Sequence, residues 1–425
     1  MARFFYNLIL HLLLPAILFK LWLRARKAPA YAHRWTERLG KVHFPAYDQS
    51  PIWIHAVSVG EVQAIATFVK DCLREHPSTP IVITTMTPTG AERVQALFGD
   101  QVTHRYCPYD FPWAMRHFVQ ALKPQLCLIV ETELWPNLLH ACQVSMIPVI
   151  LANARLSERS AKGYAKFKGL TQSMLDRITH IAVQNHDDAE RFAKLGAHPD
   201  RMSIIGSIKF DVDIDPEWSH KATQYKQAWG TERPVILAAS THDDEEAQLL
   251  GTFESLRPRY PDLLLLIAPR HPERFNACAE LCEHTALKWR RLSEHSLIDA
   301  STQVFLIDRL GELMPFCSAA DIVFVGGSLV ERGGHNPLEP AMLGKPVIIG
   351  PHTFNFALIT KELANQGGLV QVPDQSALGK ALEHWLDNKH QQLHAGQQAR
   401  AYVEQHQGAL DKLKTLAYAY LSSNA

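Results

Sequence analysis

The amino-acid sequence predicts an α/β protein made of two Rossmann-like domains that face a central cleft. Two observations lead to this prediction. Short continuous runs of Val, Ile and Leu alternate with stretches of helical periodicity, which is typical of parallel strands covered on both faces. The length of 425 residues is more than one ordinary core needs and suits two domains of roughly 150–200 residues each.

Two series of predicted strands are separated by a polar segment at 211–233, which we interpret as the passage between the domains. The first series has six strands, at 52–57, 81–85, 102–106, 126–130, 148–152 and 181–184. Helices are predicted between them, for example at 62–75 and 88–98. The second series has five strands, at 235–239, 263–268, 304–307, 322–325 and 347–349.

The last part of the chain, residues 377–421, is predicted to be helical throughout. These patterns divide the sequence into three parts. We expect a membrane anchor with a basic flank at 1–27, an N-terminal Rossmann-like domain at 28–212, and a C-terminal Rossmann-like domain with terminal helices at 213–425.

The N-terminal segment 4–23 is apolar and close to the length of a helix that spans a bilayer. Five basic residues follow it directly: Arg24, Arg26, Lys27, Arg34 and Arg38. Because positive charge favours the cytoplasmic side, we expect the body of the protein to lie there. A helix that lies in the membrane interface is the alternative. Either arrangement holds the body at a membrane.

Composition excludes some classes of protein. The 43 basic and 43 acidic residues cancel, which argues against a nucleic-acid-binding protein, since such a protein carries a net positive field. The seven cysteines are odd in number and have no framework spacing, so we interpret them as reduced thiols of a cytoplasmic body. Cys278 and Cys282, with His284 nearby, fit packing positions on one helix better than metal ligands.

Candidate catalytic residues follow the predicted strands, because ligands bind at the carboxyl ends of strands in open α/β sheets. Glu61 follows the first strand; it is either a helix-dipole carboxylate or a general base. Glu131 and Glu133 follow the strand at 126–130, and helix capping explains Glu133 but not Glu131. Lys209 is either an exposed linker lysine or a cation that faces the cleft.

In the second half, Arg270 follows a strand and is well placed to bind a phosphate or carboxylate. Residues 326–340 are rich in glycine, and we predict a helix with Asn336 as cap, Pro337 at its first position and Glu339 at its third. The glycines expose backbone N–H groups, which predicts an anion site for a nucleotide phosphate. The pattern is neither a Walker loop nor a dinucleotide-binding fingerprint.

These motifs resemble those of the 3-deoxy-D-manno-oct-2-ulosonic acid (Kdo) transferases of Gram-negative lipid A biosynthesis. The matching stretches occur in order along almost the whole chain. They are HAVSVGE at 55–61, TTMTPTG at 84–90, ETELWPN at 131–137, NARLS at 153–157, GSIKFD at 206–211, RHPER at 270–274, GGSLVERGGHNPLE at 326–339 and GPHTFNF at 350–356.

The resemblance implies a GT-B fold, CMP-Kdo as donor, lipid IVA as acceptor, no cofactor, and a place at the bacterial inner membrane. It implies that Glu61 is the proton acceptor and that Glu131 and Lys209 stabilise the transition state. It also implies contacts to CMP from nine residues: Pro269, Arg270, Leu310, Gly311, Glu312, Asn336, Pro337, Leu338 and Glu339. Leu310 can contribute only apolar or backbone contact.

The combined hypothesis is an inverting transfer to the acceptor with Glu61 as general base. We expect no metal ion, on the interpretation that the chain lacks an Asp-x-Asp metal motif and that cationic side chains stabilise the leaving phosphate. Two alternatives stay open: a GT-B transferase with another nucleotide sugar, and a non-catalytic, membrane-tethered lipid-binding protein. The motifs specify neither the number of Kdo residues transferred nor the oligomeric state.

Overall fold

The computed structural model describes residues 2–211, 214–294 and 298–422. The chain forms two compact units. The first contains Met1–Asp211 together with Gln407–Ala425, and the second contains Val212–His406. Each unit is an α/β layer structure around its own sheet, so the predicted α/β class is confirmed.

The first unit has a seven-stranded parallel sheet in the order β3-β2-β1-β4-β5-β6-β7. Its strands are β1 (Ile52–His55), β2 (Ile81–Thr85), β3 (Thr103–Tyr106), β4 (Leu126–Val130), β5 (Val149–Ala154), β6 (His180–Val183) and β7 (Met202–Ile204). The helices that precede β7 in the chain are α1 (Ala2–Leu12), α2 (Leu14–Lys27), α3 (Val59–Glu75), α4 (Pro88–Phe98), α5 (Pro112–Leu122), α6 (Pro136–Val144), α7 (Glu158–Ala165), α8 (Lys168–Leu175) and α9 (His186–Lys194).

The second unit also has a seven-stranded parallel sheet, in the order β10-β11-β9-β8-β12-β13-β14. Its strands are β8 (Val235–Thr241), β9 (Leu264–Pro269), β10 (Trp289–Arg291), β11 (Val304–Leu306), β12 (Ile322–Val325), β13 (Val347–Ile349) and β14 (Leu369–Gln371). Its helices are α10 (Pro216–Trp229), α11 (Glu245–Leu256), α12 (Phe275–Glu283), α13 (Leu313–Ala319), α14 (Leu338–Met342), α15 (Ala357–Asn365), α16 (Gln375–Asp387) and α17 (Lys389–His406). A last helix, α18 (Ala409–Ser422), belongs to the first unit.

In both sheets the strand order reverses beside the first strand of the unit. In the first sheet β1 lies between β2 and β4, and in the second sheet β8 lies between β9 and β12. Loops that leave adjacent strands at such a point run to opposite faces and open a crevice at the carboxyl ends of the strands. The loops after β1 and β4, and those after β8 and β12, are therefore the ones that can form a site.

The strands predicted from long apolar runs are confirmed, whereas three short strands at the edges of the sheets were not predicted. Strands β2, β4, β12 and β13 have the predicted bounds, whereas β7, β10 and β14 were not predicted. Each of these three has only three residues, and much of its surface is not buried, so the sequence offers no continuous apolar run there. The polar segment at 211–233 was predicted as a passage but contains α10, with Asp215 as its cap and Pro216 in its first turn.

The N-terminal apolar segment is two helices instead of the one continuous anchor helix that we predicted. Pro15 lies in the first turn of α2, and proline interrupts a helix because it has no N–H and clashes with the preceding turn. Within residues 2–211, 214–294 and 298–422, no single helix is long and apolar enough to cross a membrane. Helices α1 and α2 together have the length and composition, with a bend of 50° between them.

The C-terminal helix α18 corrects the predicted domain boundary, since residues 407–425 group with the first unit. Its apolar side chains Leu413 and Ala417 are fully buried in the same core cluster as Ile52 and Ile54 of β1. Lys414 of the same helix pairs with Asp71 and with Glu75, both of α3. The core of the first unit is therefore closed by the end of the chain.

Asp211 caps α18, and its removal tests this closure. Its carboxylate accepts the N–H groups of Gly408 (2.6 Å) and Leu410 (2.7 Å). We expect Asp211→Ala to lower the free energy of unfolding by about 1–2 kcal/mol, the usual cost of losing such a cap, as measured by thermal or urea unfolding. The control Asp411→Ala removes an exposed carboxylate in the first turn of the same helix and should change stability much less. Equal effects of both variants would contradict the assignment.

Candidate active site

Glu61 lies in the first turn of α3, directly after β1, and its side chain is only 8% exposed. Ser58 is the helix cap, and its hydroxyl donates to Oε1 of Glu61 at 2.7 Å. The backbone N–H of Val57 donates to Oε2 at 2.7 Å. The two bonds hold the carboxylate of Glu61 in one orientation in the first turn of α3, at the carboxyl end of the sheet.

The environment of Glu61 favours a protonated carboxyl group. Its pKa is raised to about 7, mainly by burial and to a smaller extent by the negative charges of Glu131 and Glu133, against the opposing effect of the hydrogen bonds from Ser58 and Val57. A carboxylic acid with a pKa near neutrality can exchange a proton at working pH, which is the requirement for a general base or acid.

The loop after β4 brings two further carboxylates toward Glu61. Glu131 pairs with Lys209, with 2.8 Å between Nζ and Oε1, and Glu133 accepts the indole N–H of Trp135 at 2.8 Å. Burial raises the pKa of Glu133. The three predicted catalytic residues Glu61, Glu131 and Lys209 therefore belong to one electrostatic cluster in the first unit.

Two features position the Glu131–Lys209 pair. Glu131 adopts a left-handed backbone conformation with φ of 60°, which is unfavourable for a residue with a side chain and is found where local structure enforces it. Lys209 lies in a short 3-10 turn, Ile208–Phe210, whose first N–H donates to the buried side chain of Asn153 at 3.2 Å. Ser207 caps the same turn.

In the second unit, the predicted donor-binding residues follow β9 and β12 or lie just before α13. Pro269 ends β9, and the backbone N–H of Arg270 donates to Thr241 at 2.9 Å. In the described part of the chain the half-buried guanidinium of Arg270 has no carboxylate partner. A small pocket with a cavity volume of about 20 Å³ lies at the strand-order reversal of this sheet. Among the residues that line it are Ser240, Leu313, His335, Asn336 and Glu339.

The glycine-rich loop after β12 binds an anion, but that anion is a carboxylate of the same unit. Glu245, at the start of α11 and fully buried, accepts the N–H groups of Gly327, Ser328 and Leu329 at 2.7–3.0 Å. It also accepts the N–H of His242 at 2.9 Å. The N–H groups of Gly327, Ser328 and Leu329 are therefore occupied by a side chain distant in sequence, and the predicted phosphate site stays a prediction for the rest of the 326–340 segment.

The predicted capping pattern at Asn336 is shifted by one residue. Helix α14 begins at Leu338, and Pro337 takes the cap position. The Asn336 side chain accepts the N–H of Leu338 at 3.1 Å and donates to Glu339 at 3.4 Å. The helix has only five residues, so it contributes little dipole field. Asn336 and Glu339 nevertheless lie together at the pocket.

Leu310, Gly311 and Glu312 form the turn before α13. Leu310 is 63% exposed, and Gly311 has a φ of 88°, in the region that favours glycine. Glu312 is at the cap position of α13 but makes no capping hydrogen bond from its side chain. The turn therefore leads directly into Leu313, which lines the pocket.

A pair of histidines beside the pocket was not predicted. The rings of His242 and His335 are stacked, and their Nε2 atoms are 2.8 Å apart. Burial, with the charge of Arg270 as the next cause, lowers the pKa of His335 to about 3, and burial also lowers that of His242 to about 4. One neutral ring therefore donates to the other. A lone histidine 93 residues from its partner gives no sequence signal for such a contact.

The expectation of metal independence relied partly on an interpretation of the sequence that is wrong. An Asp-x-Asp pattern does occur, at residues 211–215. The carboxylate of Asp211 caps α18, and that of Asp215 accepts the N–H of Glu217 in the first turn of α10 at 2.9 Å. Asp213 lies outside the described residues. The two described carboxylates are thus engaged with backbone groups of different helices.

The two parallel α/β sheets belong to a fold of the GT-B-like glycosyltransferase class. Residues 247–402 match the family described as Glycosyl transferases group 1. Among solved structures, the UDP-GlcNAc 2-epimerase from Neisseria meningitidis bound to UDP-GlcNAc is similar with a TM-score of 0.55 at 14% identity, covering 88% of this chain and 100% of that chain. At this identity the similarity concerns the fold alone.

Sequence similarity gives the family. Residues 33–212 match the family described as 3-Deoxy-D-manno-octulosonic-acid transferase (kdotransferase). The chain is 42% identical to the 3-deoxy-D-manno-octulosonic acid transferase of Haemophilus influenzae, over 100% of both chains. It is 34% identical to the enzyme of the same name from Bordetella pertussis, over 96% of this chain and 97% of that one. The chain belongs to the 3-deoxy-D-manno-octulosonic acid transferase family and is a glycosyltransferase that transfers Kdo.

The raised pKa of Glu61 predicts a pH-dependent stability difference. Burial raises the pKa from 4.5 to about 7, so the contribution of the protonated carboxyl group is fully present below pH 4.5 and is lost as the pH rises through 7. The loss is on the order of 3 kcal/mol. Glu61→Gln has no proton to lose, so its Tm relative to the wild type should rise between pH 5 and pH 8.

Thermal unfolding followed by circular dichroism measures this difference. Glu92→Gln, which changes an exposed carboxylate on α4, is the matched control and should show no comparable trend. A Tm difference for Glu61→Gln that is the same at both pH values would refute the shifted pKa.

Proposed function

We propose that this chain transfers Kdo from CMP-Kdo to lipid IVA in one inverting displacement, with Glu61 as general base. The observation that carries the proposal is the buried carboxylate of Glu61, with its pKa near 7, at the strand-order reversal of the first sheet. Family membership supplies the transferred sugar. The identity of donor and acceptor rests on the resemblance of the motifs to those of the family.

The proposed transfer is a single displacement at C2 of Kdo. Glu61 accepts the proton of an acceptor hydroxyl, the hydroxyl oxygen forms a bond to C2 of Kdo, and the bond from C2 to the phosphate oxygen breaks. CMP leaves with the bonding electrons. The two hydrogen bonds from Ser58 and Val57 do not prevent proton transfer, because each carboxylate oxygen has a second lone pair. They orient the carboxylate toward one position.

Positive charge is needed for the leaving phosphate, and two side chains supply it in this proposal. Arg270 offers a fixed fork of N–H donors without a competing carboxylate in the described residues. Lys209 is paired with Glu131, which offsets part of its charge, yet its ammonium group has two further N–H donors. With these cations the reaction needs no divalent ion. Asn336 and Glu339, which line the pocket, bind the nucleoside part of CMP.

The acceptor is a lipid, so we place the first unit at the cytoplasmic face of the inner membrane. Helix α1 exposes one apolar face, made up of Phe4, Phe5, Leu8, Ile9 and Leu12, each between 48% and 72% exposed. A helix with one exposed apolar face can lie in the membrane interface. The bend before Pro15 supports this arrangement over a single spanning helix, and the basic residues Arg24 and Arg26 near the end of α2 favour the cytoplasmic face.

Glu61→Gln tests the assignment of the base. We expect kcat for transfer from CMP-Kdo to lipid IVA to fall by about 10²–10⁴-fold, the usual contribution of a general base. The Kd for CMP, measured by calorimetry, should stay within about twofold, because Glu61 and the CMP-binding residues belong to different units. Mass spectrometry of the product identifies the transferred sugar and counts its copies. Near-normal turnover of this variant, with Glu92→Gln as control, would refute the base assignment.

Arg270→Ala tests the donor site. Loss of a charge-assisted, bidentate contact should raise KM for CMP-Kdo by about 10- to 100-fold, and Arg270→Lys should recover only part of this loss. If the donor is a cytidine nucleotide, CMP should inhibit transfer from CMP-Kdo more strongly than UDP does. Arg259→Ala, which removes an exposed arginine of the same unit that is paired with Asp387, is the control. An unchanged KM in Arg270→Ala would remove Arg270 from the donor site.

A further inference from the structure

Asp110 is a buried carboxylate that the proposed mechanism does not use. It lies between β3 and α5 and is 7% exposed. Its two oxygens accept the first N–H groups of α6, from Asn137 at 3.0 Å and from Leu138 at 2.8 Å. Helix α6 begins directly after the loop that carries Glu131 and Glu133. Asp110 therefore fixes the end of the loop that holds these catalytic-site carboxylates.

Helix α1 reaches the same cluster from the N-terminus of the chain. The hydroxyl of Tyr6 donates to Oδ2 of Asp110 at 3.0 Å. The adjacent residue, Asn7, accepts from Nδ2 of Asn137 at 2.7 Å, and the same Nδ2 donates to the backbone oxygen of Asp110 at 2.6 Å. Two consecutive residues of α1 thus bind a carboxylate 104 residues away and an amide 130 residues away.

The opposite side of α1 is the exposed apolar face described above. The helix is therefore a two-sided element, with hydrocarbon side chains outward and hydrogen bonds to the catalytic loop inward. Because α1 is too short to be stable alone in water, its position depends on both faces. A lipid surface that covers the apolar face also holds Tyr6 and Asn7 against Asp110 and Asn137.

We propose that Tyr6 and Asn7 are positioning residues that hold the Glu131–Asn137 loop through Asp110 and Asn137, so that α1 links lipid contact to the catalytic step. This inference deepens the proposed function and rests on it. It also changes the expected role of the N-terminal segment, since α1 becomes part of the active-site scaffold of the first unit as well as a membrane contact.

The contact between Tyr6 and Asp110 should depend on pH. Burial raises the pKa of Asp110 to about 7, while the N–H groups of Asn137 and Leu138, the Tyr6 hydroxyl and the charge of Arg3 lower it. The Cys107 thiol, whose pKa burial and Asp110 raise, is another titratable group near Asp110. Without the Tyr6 hydroxyl the pKa of Asp110 rises further. A protonated Asp110 has one oxygen fewer to accept the N–H groups of α6. The contacts that hold the Glu131–Asn137 loop are therefore weaker at lower pH, where Asp110 is protonated, and stronger at higher pH.

The experiment measures transfer by full-length enzyme in detergent micelles with CMP-Kdo and lipid IVA between pH 6.5 and pH 8.5. We expect Tyr6→Phe to lower kcat about 10-fold at pH 6.5 and about 2-fold at pH 8.5, because small displacements of catalytic groups have large kinetic effects. The KM for CMP-Kdo should stay unchanged. The ratio of variant to wild type removes the titration of Glu61, which both proteins share.

Tyr47→Phe is the matched control. It removes a tyrosine hydroxyl of the first unit that donates to Thr103 at 3.1 Å, and its ratio to the wild type should stay near one at every pH. Asn7→Ala is the second variant and should lower kcat without the strong pH dependence, since it leaves the Tyr6 bond to Asp110 in place.

The inference would be overturned if both Tyr6→Phe and Asn7→Ala had the kcat and the pH profile of the wild type. It would also be overturned if Tyr6→Phe lost activity equally at every pH and Tyr47→Phe showed the same loss. Failure of the wild-type enzyme itself to transfer Kdo from CMP-Kdo would instead refute the proposed function, so the two failures are distinguishable.

Discussion

Backbone N–H groups that emerge at the carboxyl ends of parallel strands need acceptors, and this chain supplies them with its own buried carboxylates. Glu61 accepts from Val57, Asp110 from the first turn of α6, and Glu245 from three consecutive residues of the loop after β12. An unsatisfied buried N–H is costly, and so is an unpaired buried carboxylate, whereas together they satisfy each other. These contacts hold the loops that carry the candidate site residues.

The buried carboxylates have different consequences in the two units. In the first unit the hydrogen bonds do not outweigh the effect of burial, so the pKa of Glu61 lies near 7 and the structural carboxylate is also suited to proton transfer. In the second unit Glu245 occupies three N–H groups of the glycine-rich loop. The proposed binding of an anionic donor at that sheet therefore relies on side chains, above all on Arg270, and on the small pocket beside His335.

The sequence predicted much of this molecule, and the misses share a physical cause. Continuous apolar runs identified the buried strands, and position after those strands led to the prediction of Glu61, Glu131 and Arg270 as site residues, because both signals are local. The contact between Glu245 and the loop after β12 and the stacking of His242 on His335 join residues more than 80 positions apart, so no local pattern reveals them. The prediction for the apolar segment 4–23 relied on composition, length and the basic residues that follow, and it gave no weight to Pro15, which interrupts the helix, or to Tyr6 and Asn7, which face inward.

The return of α18 to the first unit has a consequence for biosynthesis. The second unit is one uninterrupted stretch of sequence, whereas the first unit needs Leu413 and Ala417 to complete its core. Translation of the intervening stretch of about 200 residues takes roughly 10–40 s at ~5–20 residues per second. During that interval the nascent first unit presents an uncovered apolar groove beside β1 and α3. The nascent chain is then most vulnerable to aggregation and has its greatest need of chaperones.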